Sequence, residues 1–239
     1  MKLDILAIAA HPDDVEMTCG GTLAAAVAQG KKVGILDLTR GELGTRGTPE
    51  IRAAEAEAAA NILGVHVREN LGLPDGFFQN DREHQLPIIA ALRRFQPDIV
   101  LSNAIHDRHP DHGRGAQLTS EACFLAGLRM IETLDAAGQP QVAWRPKYVY
   151  HYIQDRLIMP DFVVDVSAYW DKKKASIEAF QSQFFNIDGK EPNTYLTTPG
   201  FQNFLEARGR EMGHLIGVEF GEGFTRERMI GVRDLSDLI

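Results

Sequence analysis

Residues 5–10 form an unbroken apolar run, Ile5-Leu6-Ala7-Ile8-Ala9-Ala10, which stops abruptly at His11-Pro12-Asp13-Asp14. A short run with no polar alternation suits a strand buried on both faces, and such strands belong to parallel sheets covered by helices on each side. The rest of the chain agrees with that reading. An Ala-rich helix is expected over residues 20–29, opened by Gly20-Gly21 and closed by Gly30, followed by a strand over 32–38. Residues 49–63 read as a helix, with Pro49 in the first turn and Gly64 just past the end. Strands are expected at 65–70 and 98–102, and helices at 84–95 and 115–133. Beyond residue 140 the pattern is less regular: strands at 148–153 and 162–166, a helix at 167–180, a loop at 186–199 and a helix at 201–215. No repeat, low-complexity tract or Gly/Ser linker marks a boundary. Residues 1–239 are therefore expected to form one α/β, Rossmann-like domain, a mainly parallel sheet flanked by helices, whose strand order the sequence leaves open.

Charge and composition exclude several partners. With 33 Asp and Glu against 25 Lys and Arg the net charge is −8, shared evenly between the two halves, so no basic module is hidden in either. Nucleic acid and anionic membranes both require a basic face. The apolar stretches are far shorter than the ~20 residues that cross a bilayer, and the N-terminus lacks a signal-peptide layout. Only Cys19 and Cys123 are present, too few for a disulfide framework or a Cys-based zinc cluster. A reduced, cytoplasmic protein is the expectation.

In open α/β sheets ligands bind beyond the carboxyl ends of the strands, so polar clusters directly after apolar runs are the candidate site. One is His11-Pro12-Asp13-Asp14-Val15-Glu16, where a dinucleotide enzyme would place a Gly-rich turn. The other is His106-Asp107-Arg108-His109-Pro110-Asp111-His112, after the strand at 98–102. If those strands are neighbours, the clusters face one another. Two His and one carboxylate then suffice for a catalytic zinc that keeps a position for water, and a spare carboxylate can serve as base. The same donor set also describes the facial triad of non-haem iron oxygenases.

The motifs Ala10 to Glu16, A-H-P-D-D-x-E, and His109 to His112, H-P-D-H, resemble the LmbE-like (PIG-L) zinc-dependent N-acetylglucosaminyl deacetylases. The resemblance extends through residues 38–47, Asp107-Arg108 and Ser182-Gln183-Phe184, and is similar to the bacillithiol-biosynthesis branch, which deacetylates an N-acetylglucosaminyl malate conjugate. It implies a metal site at the carboxyl ends of the strands with His11, Asp14 and His112 as ligands to Zn2+, Fe2+ or another divalent ion. It implies Asp13 as general base, a protonated His109 at the oxyanion or leaving amine, and Asp111 orienting His109. Arg52 and Arg108, with Arg40 and Arg46, would meet the sugar or the malate carboxylates. A small acetamido-sugar substrate and a homo-oligomer are further implications. The chain departs at Phe201, where some relatives carry a Tyr, and Tyr195 is a candidate replacement.

Each residue also has an ordinary reading. Asp14 could cap the following helix, and Glu16 either caps or supports from behind. Arg40 and Arg46 lie in a Gly-rich segment that is either a mobile lid or a surface turn. Arg52 could simply pair with Glu55 on a helix surface. His106 reads as an exposed loop residue and Cys19 as a small buried one. The functional alternatives are a deacetylase of another N-acetylglucosamine sugar, a thiol-conjugate amidase, and a non-catalytic sugar-binding module that keeps a structural metal.

Overall fold

The computed structural model describes residues 1–185, 189 and 192–235. The first apolar run is strand β1, Ile5–Ala9, buried at every position. Four helix–strand pairs repeat the alternation: α1 (Asp14–Ala28), β2 (Val33–Thr39), α2 (Pro49–Leu63), β3 (Val67–Leu73), α3 (Arg82–Phe95), β4 (Ile99–Ser102), α4 (Pro110–Ala126) and β5 (Tyr148–Tyr152). There follow β6 (Phe162–Asp165), a 3-10 turn (Ser167–Tyr169), α5 (Trp170–Glu178), α6 (Gln181–Phe184), α7 (Pro199–Ile216) and β7 (Gly221–Arg226). The expected loop at 186–199 lies partly outside the described residues, and its last residue, Pro199, starts α7.

The seven strands form one sheet in the order β3-β2-β1-β4-β5-β7-β6, in which β7 runs antiparallel to both its neighbours and the first five strands are parallel. The expected fold class is therefore observed: a mostly parallel sheet flanked by helices in one α/β unit. Alternate residues of β1 feed opposite layers. Leu6 and Ile8 pack with Leu36, Leu38, Ile88, Leu92 and Leu118, under α3 and α4. Ala7 and Ala9 pack with Val15, Leu23, Ile35, Leu63, Tyr152 and Phe224, under α1. Chain order reverses direction between β1 and β4, which are directly paired, and the crevice at such a point is where α/β sheets bind ligands.

Helix α2 keeps its expected bounds because its stop signals are local: Thr48 accepts from the Ile51 amide as N-cap, and Gly64 closes the helix at φ 79°. Two other helices differ from expectation. Helix α1 starts at Asp14 rather than at Gly20, and is kinked at Cys19. The kink is stabilised from far away in sequence: Glu222 on β7 accepts from the Gly21 and Thr22 amides at 2.9 and 2.7 Å and pairs with buried Lys173. Gly21 is needed for that approach, since a Cβ there would lie 2.8 Å from Val166. Helix α4 begins at Pro110 rather than at 115, because His109 caps it and Pro suits its first turn, and it ends at Ala126 before Gly127.

Candidate active site

The loops leaving β1 and β4 bring both His clusters into one crevice. Asp14 is its centre. Its Oδ2 lies 3.6 Å from His11 Nδ1 and its Oδ1 3.2 Å from His112 Nε2, with the carboxylate almost wholly buried. The His11 amide donates to Oδ2 at 3.0 Å, Asn103 Nδ2 donates to the same oxygen at 3.0 Å, and Gln154 Nε2 donates to Oδ1 at 3.1 Å. Asn103 and Gln154 are themselves locked: Asn103 Oδ1 accepts from the Ala10 amide, and Gln154 Oε1 accepts from Asn103 and from the Ala104 amide. Asn103 directly follows β4 and Gln154 lies two residues past the end of β5, so both stand at strand ends, outside the two His clusters.

Each histidine has a carboxylate behind it. Asp107 Oδ2 lies 2.6 Å from His112 Nδ1, which leaves Nε2 facing Asp14. Asp75 Oδ1 lies 3.1 Å from His11 Nε2, and Asp111 Oδ2 lies 3.4 Å from it, which leaves Nδ1 facing Asp14. This contact corrects the expectation for Asp111. Its carboxylate lies against His11, Arg114 Nη1 at 2.6 Å and the Gly76 amide at 2.8 Å, not against His109. Only its backbone N–H reaches His109, donating to Nδ1 at 3.2 Å because His109 caps α4.

The electrostatics follow from this layout. Burial disfavours charge on His11, yet Asp111, Asp14 and Asp75 outweigh it and raise its pKa well above the usual range. Burial opposes charge on His112 too, but Asp14 and Asp107 raise it to about 9. Burial alone would lift Asp14, and the facing imidazoles hold it well below the ordinary carboxylate range. His109 is the exception: burial, then His11 and His112, lower its pKa, so a protonated His109 is not favoured. With Nδ1 accepting from the Asp111 amide, its proton sits on Nε2.

The residues fit a divalent cation. Ring nitrogens of His11, His109 and His112 lie within 4.8 Å of one another, and His11, Asp75 and Asp111 form a second such group. In the second group His11 Nε2 is at hydrogen-bond distance from both carboxylates, the orienting contact that metal-bound imidazoles commonly make. The carboxylates of the crevice also raise the pKa of both His11 and His112, so the site favours positive charge.

Asp13 occupies an unusual position. It is a non-Gly residue at φ 112°, a conformation costing about 1–3 kcal/mol, and it makes no capping bond to α1. Its carboxylate is instead held by Arg52, whose Nη2 donates to Oδ2 at 2.9 Å and also to the Pro12 carbonyl. Burial raises Asp13 to about 7, and the Arg52 charge pulls in the opposite direction.

Two of the four expected substrate-binding arginines, Arg52 and Arg46, are engaged with the chain itself. Arg52 is buried beneath Asp13, and Glu55 bonds Ser182, so neither a substrate contact nor the surface pair describes it. Arg46 is buried as well, clasped by the carbonyls of Ser182, Phe185 and Pro192, which anchors that end of the 40–47 segment instead of freeing it as a lid. Arg40 is exposed with its guanidinium against Gly72. Arg108 alone stays at the mouth, half-exposed, 3.3 Å from Asp155 and over the Tyr195 ring. Tyr195 donates its hydroxyl to Asp155 at 3.0 Å, and Phe201 is buried against its ring. Behind the site Arg68 joins Glu16 to Asp37, both carboxylates being buried and the guanidinium partly so.

Comparison with known proteins decides the family. The model of PIG-L, described as GlcNAc-PI de-N-acetylase, matches residues 6–123, the half that carries both His clusters. A diacetylchitobiose deacetylase of Thermococcus kodakarensis is 30% identical over 193 residues, covering 75% of this chain and 70% of the relative. The chain belongs to the PIG-L, or LmbE-like, deacetylase family. A conserved protein of Thermus thermophilus has a structure with TM-score 0.84 at 38% identity, covering 97% of this chain and 98% of that one. A relative from Pseudomonas putida, 28% identical over 193 residues and covering 74% of this chain and 73% of its own length, is named a 4-oxalmesaconate hydratase. The relatives this chain resembles thus carry names for two reactions that use water. Among the described residues no helix is long and apolar enough to cross a membrane.

Proposed function

We propose that the protein is a zinc-dependent hydrolase that removes the N-acetyl group of an N-acetylglucosaminyl conjugate, with N-acetylglucosaminyl malate of bacillithiol biosynthesis as the substrate. One observation carries the reaction type. A strained, buried carboxylate, Asp13, adjoins Asp14, which links His11 and His112, so a proton acceptor stands beside the donor set without belonging to it.

His11, Asp14 and His112 would hold the cation. When bound, it supplies Lewis acidity that polarises the acetamide carbonyl and acidifies water. Asp13, steered by Arg52, takes the proton from the attacking water and returns it to the departing amine. His109, neutral with its proton on Nε2, donates a hydrogen bond to the developing oxyanion. Arg108 at the mouth is the cation available to a malate carboxylate. The half-exposed position of Arg108 supports the conjugate over free N-acetylglucosamine; another N-acetylglucosamine sugar or a thiol conjugate would use the same chemistry at the acetamide.

The test is acetate release from the malate conjugate by zinc-loaded protein, with Asp13→Asn expected to keep its metal and to lose turnover by ~10²–10⁴. Undiminished turnover in that variant rejects Asp13 as the base. The hydratase relative supports a second reading, addition of water to an unsaturated acid, since that reaction also needs activated water. Absence of acetate release from every acetamido sugar, with hydration of an unsaturated dicarboxylate, would establish it instead.

A further inference from the structure

Three neutral amides hold Asp14, and they divide its two oxygens unequally. A carboxylate oxygen offers two lone pairs. Oδ2 gives both to N–H donors, the His11 amide at 3.0 Å and Asn103 Nδ2 at 3.0 Å. Oδ1 accepts from Gln154 Nε2 at 3.1 Å, which leaves its second lone pair for the side of His112, whose Nε2 lies 3.2 Å away. Two ligands of a tetrahedral ion with bonds of ~2.0–2.1 Å stand roughly 3.3 Å apart, so Oδ1 and His112 Nε2 have the spacing of a shared cation. Oδ2 is 3.6 Å from His11 Nδ1 but has no lone pair to spare.

The two side-chain amides are fixed by their other contacts. Gln154 Oε1 accepts from the Ala104 amide at 3.0 Å and from Asn103 Nδ2 at 3.0 Å, so its NH2 end is the one turned to Asp14. Asn103 Oδ1 accepts from the Ala10 amide at 2.8 Å, and its NH2 group serves Asp14 and Gln154 together. The main chain under Gln154 is gripped as well. Arg208 of α7 donates from Nη1 to the Gln154 carbonyl at 3.1 Å and from Nη2 to the Asp155 carbonyl at 3.3 Å. Asn103 and Gln154 are both buried, and neither carries charge, so they direct the carboxylate without competing with a cation for it.

We infer that Asn103 and Gln154 are positioning residues that commit Asp14 to hold the cation through Oδ1 alone. Asn103 closes Oδ2, and Gln154 turns the last lone pair of Oδ1 towards His112. A catalytic zinc with three protein ligands keeps a fourth position for water, and a second Asp14 oxygen would crowd it. The inference rests on the metal-binding part of the hydrolase reading above.

The experiment reads the coordination sphere itself. A crystal structure of the zinc-loaded protein should show one bond from Asp14, made by Oδ1; bonds from both oxygens, or from Oδ2, overturn the inference. Cobalt in place of zinc reports coordination number, because four-coordinate cobalt absorbs visible light more strongly than five-coordinate. Asn103→Leu frees a lone pair on Oδ2 beside His11, so its cobalt absorption should weaken and kcat should fall by ~10–100-fold. Gln154→Met leaves Oδ2 closed, so the cobalt spectrum should match the parent while metal affinity, measured by competition with a chelator, falls by ~10–100-fold. A spectrum unmoved in Asn103→Leu, or changed alike in both variants, overturns the inference. The zinc-loaded parent needs no substitution, so misfolding of either variant leaves the inference open to refutation. Failure of the parent to bind zinc or cobalt overturns the metal reading and this inference together. A metal site that behaves as described, without acetate release from any acetamido sugar, rejects the hydrolase reading alone and upholds the two positioning residues.

Discussion

Arg52 Nη2 and Asp13 Oδ2 stand 2.9 Å apart in a place where water scarcely reaches either side chain. Burial lifts Asp13 to about 7 and Arg52 draws it down. For a general base the deprotonated form is the active one, so activity is lost as pH falls through its pKa. Arg52→Gln removes the cation, raises that pKa, and should move the acid limb of the pH profile of kcat/KM to higher pH. Arg52→Lys keeps the charge and should move it less. A profile unchanged in Arg52→Gln would show that the pair does not tune the base.

Gly41 is the silent partner of that pair. It sits at φ 66°, and a Cβ there would lie 2.2 Å from Arg52 Nη1. Gly41→Ala should therefore act through Arg52, shifting the acid limb in the same direction. In a double-mutant cycle the combined Gly41→Ala, Arg52→Gln variant should be little worse than Arg52→Gln alone.

The carboxylate behind His112 makes a separate prediction. Asp107→Ala leaves the His112 ring without its Nδ1 partner and should weaken metal affinity by ~10–100-fold, measured by competition with a chelator. Asp111→Ala removes one of the two carboxylates at His11 Nε2, and Asp75 remains there, so its effect on affinity should be smaller.

His109 yields a prediction of opposite sign to the expectation from resemblance. Burial, then His11 and His112, lower the His109 pKa from its ordinary value, which favours the neutral ring as a hydrogen-bond donor. Its ionisation should therefore produce no fall in kcat between pH 7 and 8. His109→Ala should cost ~10²–10³ in kcat through the lost oxyanion contact.

Arg68 neutralises Glu16 and Asp37 in a single buried cluster. Arg68→Met strands both carboxylates and should lower stability by about 3–5 kcal/mol in denaturant unfolding. Metal content of the folded fraction should be retained, because the cluster lies behind the donor set rather than in it.

The main features of this protein are legible where the signals are local or where topology has few options. Helix α2 carries its own cap, Pro and terminal Gly, and its bounds are readable to the residue. The approach of His11 to His112 requires only that β1 and β4 be neighbours, which a doubly wound sheet with its reversal there provides. The start of α1 is harder to place because Gly20-Gly21 looks like an opening, while the carboxylate that stabilises the kink comes from Glu222 on the last strand. The arginines mislead for a related reason. Charge type says what Arg52 and Arg46 can bind, but burial, of Arg52 against Gly41 and of Arg46 against Ser182, Phe185 and Pro192, decides that they bind this chain's own carboxylate and carbonyls. Asp75 and Gln154 follow strands, yet neither belongs to a dense His cluster that would draw attention.

The clasp of Glu222 on α1 has a temporal consequence. A ribosome delivers Gly21 and Thr22 some two hundred residues before the carboxylate that meets their amides. Until then the helix bearing Asp14 lacks the contact that sets its bend. The parallel strands can therefore pair early, whereas the bend of the helix that carries Asp14 waits for the last strand.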